Sequence, residues 1–132
     1  MVHVETMMKE IVEIQYKSRQ FMDMLAKGEK LSPSQIVLLV QLKISGGMKA
    51  TEIAEFAGVT PGAVTAMCDK LEKAGLVERL RDSEDRRVVT MKLTSEGEAQ
   101  VLQVFDKFEQ KHVIEMTKVL QQVNELMSRI LL

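Results

Sequence analysis

The residues able to do chemistry in this 132-residue chain are mostly cations, and they cluster. Lys70, Lys73, Arg79, Arg81, Arg86, Arg87 and Lys92 form a local positive stripe suited to the phosphates of a nucleic acid. Its densest part is "RDSEDRRVVTMKLTSEG", Arg81 to Gly97, where carboxylates interrupt the arginines. Asp82 and Asp85 are ill placed to meet phosphate, but their short side chains can bond the backbone of their own turn and orient a neighbouring arginine. No Gly-rich phosphate loop, paired His/Glu metal motif or Ser/His/Asp set with supporting context occurs, so an enzyme is not expected. Neither a cofactor nor a metal is expected, because His112 has only His3 as a counterpart and Cys68 is the single cysteine. His112 reads as core or pocket lining. Cys68, on the apolar side of its segment, reads as a small inert hydrophobe rather than a redox sensor. The ten methionines fit either gap filling in a small core or an adaptable effector pocket.

A scaffold must aim these cations. Val89, Met91 and Leu93 alternate as the inward face of a strand, with Val88, Thr90 and Lys92 outward, and Leu76 to Arg81 can serve as its partner. The loop Asp82-Ser83-Glu84-Asp85 closes a hairpin and leaves Arg86 and Arg87 just past the turn. Thr94 then caps a following helix. Upstream, Thr51 to Ala57 reads as a short helix with Ile53, Ala54 and Ala57 inward, stopped by Gly58 in a left-handed cap. Thr60 caps a second helix that begins at Pro61 and ends at Gly75, after Ala74. Val64, Met67, Cys68 and Leu71 share its apolar face, which leaves Gly62, Thr65, Ala66, Asp69, Lys70 and Lys73 pointing away. Two short helices around a tight turn are a helix-turn-helix. With a hairpin directly after it, the whole is a winged helix, whose outward helix face fits a major groove while an arginine at the wing tip reaches a neighbouring minor groove. The alternative is a winged-helix protein–protein interaction module without DNA binding.

The flanks are helical and over-supplied with apolar residues. Val4, Met7, Ile11, Ile14, Ser18, Phe21 and Leu25 form a heptad-like seam, which Met8, Val12, Met22 and Met24 widen beyond one face, until Gly28. Ser32 and Pro33 open a further helix with Leu38, Leu39 and Leu42 inward, and Gly46-Gly47 stops it. Beyond Gly97 the stripe Val101, Phe105, Phe108, His112, Met116, Val119, Val123, Leu126 and Ile130 runs without Gly or Pro, so one long helix and a bend near Glu115 to Thr117 are both open. Such a stripe cannot bury itself. Pairing with the Val4 to Leu25 seam of a second copy would cover it, and two-fold pairing is the commonest arrangement.

Composition agrees with a local rather than a global binding surface. Net charge is −1 and pI about 6.1, so no overall positive field advertises a nucleic acid or a membrane. No apolar run approaches a membrane span, the start has no signal-peptide pattern, and one cysteine suits a reducing compartment; the expected location is cytoplasmic, with no membrane partner. The expected architecture is a single domain over 1–132, mainly α with a small antiparallel β wing (α+β). It places a winged helix-turn-helix at 31–97 between helical dimerisation regions at 1–28 and 98–132.

"LSPSQIVLL" at Leu31 to Leu39, "TEIAEFAGVTPGAVTAMCDKLEKAGLVER" at Thr51 to Arg79 and the Arg81 to Gly97 run together resemble the MarR family of dimeric winged-helix transcriptional regulators. The resemblance implies a repressor acting as a homodimer on a pseudo-palindromic operator in double-stranded DNA, with a small-molecule effector of unknown identity as a further partner. It makes Pro61 to Ala74 the recognition helix, turns Thr60 and Thr65 to DNA, sends Arg86 into the minor groove, and has Arg87 brace the wing with Asp69 and Asp85. The candidate DNA-contacting residues are therefore Thr60, Gly62, Thr65, Ala66, Lys70, Lys73, Arg86 and Arg87. Ala66 stands where many members carry arginine, and Ser83 replaces a frequent proline.

Overall fold

The computed structural model describes residues 2–131; Met1 and Leu132, the outer ends of the two expected helical regions, lie outside them. The elements run α1 (Val2–Ala26), α2 (Pro33–Ser45), β1 (Met48–Lys49), α3 (Ala50–Ala57), α4 (Pro61–Lys73), β2 (Val77–Arg81), β3 (Val89–Leu93), α5 (Ser95–Asp106) and α6 (Gln110–Ile130). Local chemistry sets most of the boundaries. Ser32 caps α2 in a reciprocal capping box with Gln35, Pro33 takes the first helical position, and Gly46 closes the helix at φ 81°.

The core lies where α2, α3 and α4 meet the sheet. Leu38, Leu39, Leu42, Ile53, Val64 and Leu71 are fully buried there, closed by Met48, Cys68, Val77, Met91 and Val101. Val89 and Leu93 are half-buried on the face of buried Met91, as the alternation predicts, but Val88, expected outward, is half-buried too. One strand was not anticipated. β1 pairs antiparallel with β3, Met48 opposite Met91 and Lys49 opposite Thr90, so the wing hairpin is the outer part of a three-stranded sheet in the order β1-β3-β2. Two residues carry too little pattern to announce a strand. Their presence also leaves Thr90, expected outward, half-buried beneath Gly47. Ala57, expected inward, is exposed: it is the last residue of a helix only Ala50–Ala57 long, and Ile53 fills the core for that face.

Thr94 knots three elements together. Its hydroxyl donates to the Gly75 carbonyl at 2.6 Å and accepts from the Gly97 amide at 3.0 Å, joining the end of α4, the wing and the start of α5. α5 can sit this close because residue 97 is glycine, where a Cβ would overlap the Leu76 carbonyl oxygen. Lys43 on α2 pairs with Glu98 on α5 at 2.7 Å and holds that carboxyl below its ordinary pKa.

The C-terminal stripe is neither one helix nor bent at 115–117: it breaks at 107–109, between α5 and α6. No Gly or Pro marks the break. Lys107 makes it, its ammonium donating to the Leu25 carbonyl, to the Lys27 carbonyl at 3.0 Å and to Glu29 at 3.4 Å, so the end of α1 is capped by a side chain from the bend. His112 is exposed rather than core, since α6 buries none of its residues within this chain. α1 is similar: residues 2–20 are exposed on every side, with Met7 56% and Ile11 53% accessible.

Candidate nucleic-acid interface

The helix-turn-helix is built as its punctuation requires. Gly58, at φ 65°, caps α3 and passes the chain to Thr60, whose hydroxyl accepts the Ala63 amide at 3.2 Å and starts α4. Val64, Cys68 and Leu71 anchor α4 in the core, which fixes its rotation. Thr60, Gly62, Thr65, Ala66, Asp69, Lys70 and Lys73 are consequently all exposed, as expected. Thr65, exposed on the helix, turns its hydroxyl back onto the Pro61 carbonyl at 3.1 Å. Burial pushes the Cys68 thiol up, against a lowering influence of Arg79, so the group stays protonated and unreactive near neutral pH.

The wing pairs Val77 with Leu93 through Arg81 with Val89, and residues 82–88 form its tip. Arg86 and Arg87 therefore lie within the loop, not past it, because the closing backbone bond runs from the Asp82 amide to the Val88 carbonyl at 3.0 Å. Asp82 organises the tip by accepting the amides of Glu84 at 2.8 Å and Asp85 at 3.0 Å. These bonds hold its carboxyl below the ordinary carboxylate range, the Asp85 amide contributing most. Asp85 in turn accepts the guanidinium of Arg87, at 3.1 Å to Nε and 3.2 Å to Nη2, and the Arg87 amide at 3.1 Å; the guanidinium contact is the larger cause of its lowered pKa.

Asp69 does not share in that brace. It binds Arg79 at 2.5 Å, while the same guanidinium reaches Glu72 at 2.6 Å, so Arg79 ties α4 to β2 and its own pKa rises, chiefly through the Asp69 bond. Arg79 was counted in the positive stripe, yet two carboxylates engage it. Asp69 and Glu72 stand three apart on one face of α4, a signal too common to single out Arg79 from sequence. Sequence reasoning also missed the role of Arg81, whose Nη1 donates to the Arg86 carbonyl at 2.7 Å and fixes the backbone at the tip. Arg86 itself is exposed, and no side-chain bond of its guanidinium is found among the described residues.

The assembled face presents a smooth, small-residue helix start, two lysines further along the same helix, and an unengaged arginine on a braced loop. Behind it, a cleft of about 390 Å³ opens between α1, α2, α3 and α4, lined by Met22, Val37, Phe56, Val59 and Met67 among others.

A helix-turn-helix followed directly by the wing, with helices on either side, defines a winged-helix fold. The MarR family model matches residues 31–89. The HTH-type transcriptional repressor MdtR of Bacillus subtilis is 44% identical over 78 residues, 58% of this chain and 50% of that protein, so the match spans half the relative's length. The uncharacterized HTH-type transcriptional regulator YpoP of the same organism is 30% identical over 81% of this chain and 72% of its own. Among solved structures, the transcriptional regulator BldR from Sulfolobus solfataricus is 31% identical with a TM-score of 0.68, over 97% of this chain and 96% of that one. A mutant MarR from E. coli, complexed with operator DNA, shares the fold with a TM-score of 0.77 at 24% identity, over 98% and 96% of the two chains. This chain belongs to the MarR family.

Proposed function

We propose that this protein is a sequence-specific double-stranded DNA-binding transcriptional regulator, a repressor, that acts as a homodimer on a pseudo-palindromic operator. One observation carries the reading: the start of α4 is small and exposed on a helix anchored in the core, and the guanidinium of Arg86 is free on a loop whose backbone Arg81 holds. Gly62, Thr65 and Ala66 permit close approach to base edges, Lys70 and Lys73 meet phosphates, and Arg86 enters the minor groove, with Arg87 and Asp85 holding the tip. The family relatives named as HTH-type regulators and repressors support it. The homodimer rests on the exposed apolar faces of α1 and α6, and cytoplasmic action goes with a chromosomal target. No helix among the described residues is long and apolar enough to cross a membrane.

A small-molecule effector is part of the proposal, and its chemistry follows from the cleft. About 390 Å³ of space behind α4, lined by adaptable methionines and a phenylalanine, is within the size range of ligand sites and suits a compact apolar compound. The test is selection of bound sequences from random duplex DNA. An inverted repeat with half-sites about 34 to 36 Å apart, bound more weakly as salt rises, is expected. A pool that shows no enrichment would overturn the reading.

A further inference from the structure

The start of α4 is unusual for a surface that reads bases, because it offers them almost no hydrogen bonds. From Thr60 to Cys68 the sequence TPGAVTAMC contains no Arg, Lys, Asn, Gln, His, Asp or Glu. Those are the side chains that pair with guanine, adenine or cytosine edges in the major groove. Of the two hydroxyls present, Thr65 donates its proton to the Pro61 carbonyl. The nearest carboxylate, Asp69, is held by Arg79. Lys70 and Lys73 stand beyond this stretch, about 6 and 10.5 Å along the helix from Ala66 at 1.5 Å per residue, and their flexible ammonium groups suit backbone phosphates. What α4 presents instead is small and nearly devoid of free donors: the exposed methyl of Ala66, the exposed side chain of Thr65 with its hydroxyl turned onto its own helix, and the bare backbone of Gly62.

We propose that each half-site is read by its thymine C5-methyl groups, two adjacent T·A pairs packing against Thr65 and Ala66, rather than by hydrogen bonds to purine edges. A methyl is the one major-groove feature of a base pair that an apolar surface can recognise, and it is unique to thymine among unmodified bases. Gly62 lets the helix approach closely enough for that contact. The wing points the same way, since an unengaged arginine is drawn to the narrow minor groove of A/T-rich duplex. The operator class is therefore A/T-rich, with its specificity carried by shape and methyl packing. This rests on the DNA-binding reading above.

The experiment uses the whole protein and the consensus duplex recovered from random-sequence selection. Each thymine is replaced in turn by deoxyuridine, which keeps every hydrogen-bonding group and removes only the methyl. Loss of one buried methyl is expected to weaken binding about four-fold, and symmetric replacement in both half-sites about fifteen-fold, at two adjacent positions per half-site and nowhere else in the major groove. Exchange of such a T·A pair for 5-methylcytosine·G should restore most of the affinity, and exchange for C·G should not. In Ala66→Gly, checked for native helix content by circular dichroism, the uridine penalty at one of the two positions should vanish. Thr65→Val keeps the methyl and should keep the thymine preference. Ala66→Arg should change the selected base at its position to guanine. Uridine substitution without effect at every position, together with a loss of ten-fold or more on 7-deazapurine substitution, would overturn the methyl reading while leaving DNA binding intact. Failure to select any duplex would overturn both.

Discussion

Replacement of Lys107 by methionine keeps the aliphatic stem and removes only the ammonium that caps α1. Three acceptors lose their donor. The Leu25 carbonyl belongs to a residue only 7% exposed, so it is left without water or protein as a partner, which costs about 2 kcal/mol. Glu29, its side chain 11% exposed, loses its cation at a cost of about 1 kcal/mol, between the value of a surface pair and that of a buried one. The Lys27 carbonyl faces solvent and is rehydrated at little cost. The sum, about 3 kcal/mol, corresponds to a fall in Tm of roughly 10 °C for a chain of this size. Urea unfolding followed by circular dichroism at a fixed micromolar protein concentration measures it, the concentration being held because the proposed pairing would contribute to stability. Lys107→Arg, which can still donate to the same acceptors, should recover at least half of the loss. A methionine variant within about 0.5 kcal/mol of the parent would refute the capping argument and return the bend at 107–109 to the intrinsic preference of its residues.

Four further tests concern the wing and its ion pairs, and a fifth the core. Arg86→Ala should cost on the order of 1 to 3 kcal/mol of DNA binding and flatten the salt slope by about one unit, with the fold intact. Arg81→Met should weaken DNA binding by releasing the Arg86 backbone, and most of that loss should disappear in an Arg86→Ala background; strict additivity in titrations of all four proteins would show that Arg81 acts on DNA by itself. The same cycle logic should couple Arg87→Ala to Asp85→Ala and Asp69→Ala to Arg79→Met, with no coupling between Arg87 and Asp69. The carboxyls of Asp82 and Asp85 are depressed in the folded protein, so their contribution is fully present above the ordinary carboxylate pKa and is lost as pH falls through the lowered folded values. NMR titration should show both groups protonating below Glu or Asp in a random chain, with the tip amides of 84, 85 and 87 shifting in step. Cys68, raised by burial, should resist a thiol reagent at pH 8 until urea unfolds the chain; rapid labelling of the native protein would contradict its inert role.

Elements written in strong local chemistry were legible in the sequence. Ser32-Pro33, Thr60-Pro61 and Thr94 each stand at an N-cap, Gly46, Gly58 and Gly75 each take the left-handed conformation, and the periodicity of Val64, Cys68 and Leu71 correctly oriented the outward face of α4. What escaped depends on residues distant in the chain. β1 exists because Met48 finds Met91, the α5–α6 break because Lys107 finds the end of α1, and the partner of Asp69 is decided by where β2 brings Arg79. A charge pattern names candidates for an ion pair but not the match. Asp69 could have faced either arginine until the hairpin's register was known. The position of Arg86 and Arg87 within the tip was obscured for a related reason, since loop length follows from which backbone pair closes the hairpin.

Residues 2–20 of α1 are exposed on every side. Most of a helix's stability in a protein comes from packing its apolar face, and this stretch has no such cover within its own chain. With a second copy as its cover, order in this stretch arrives together with assembly, and while chains are scarce the amount of the paired form rises as the square of their number. Halving the supply then cuts the active species about fourfold. A protein that works only as such a pair has its response set through synthesis and turnover as well as through any bound compound.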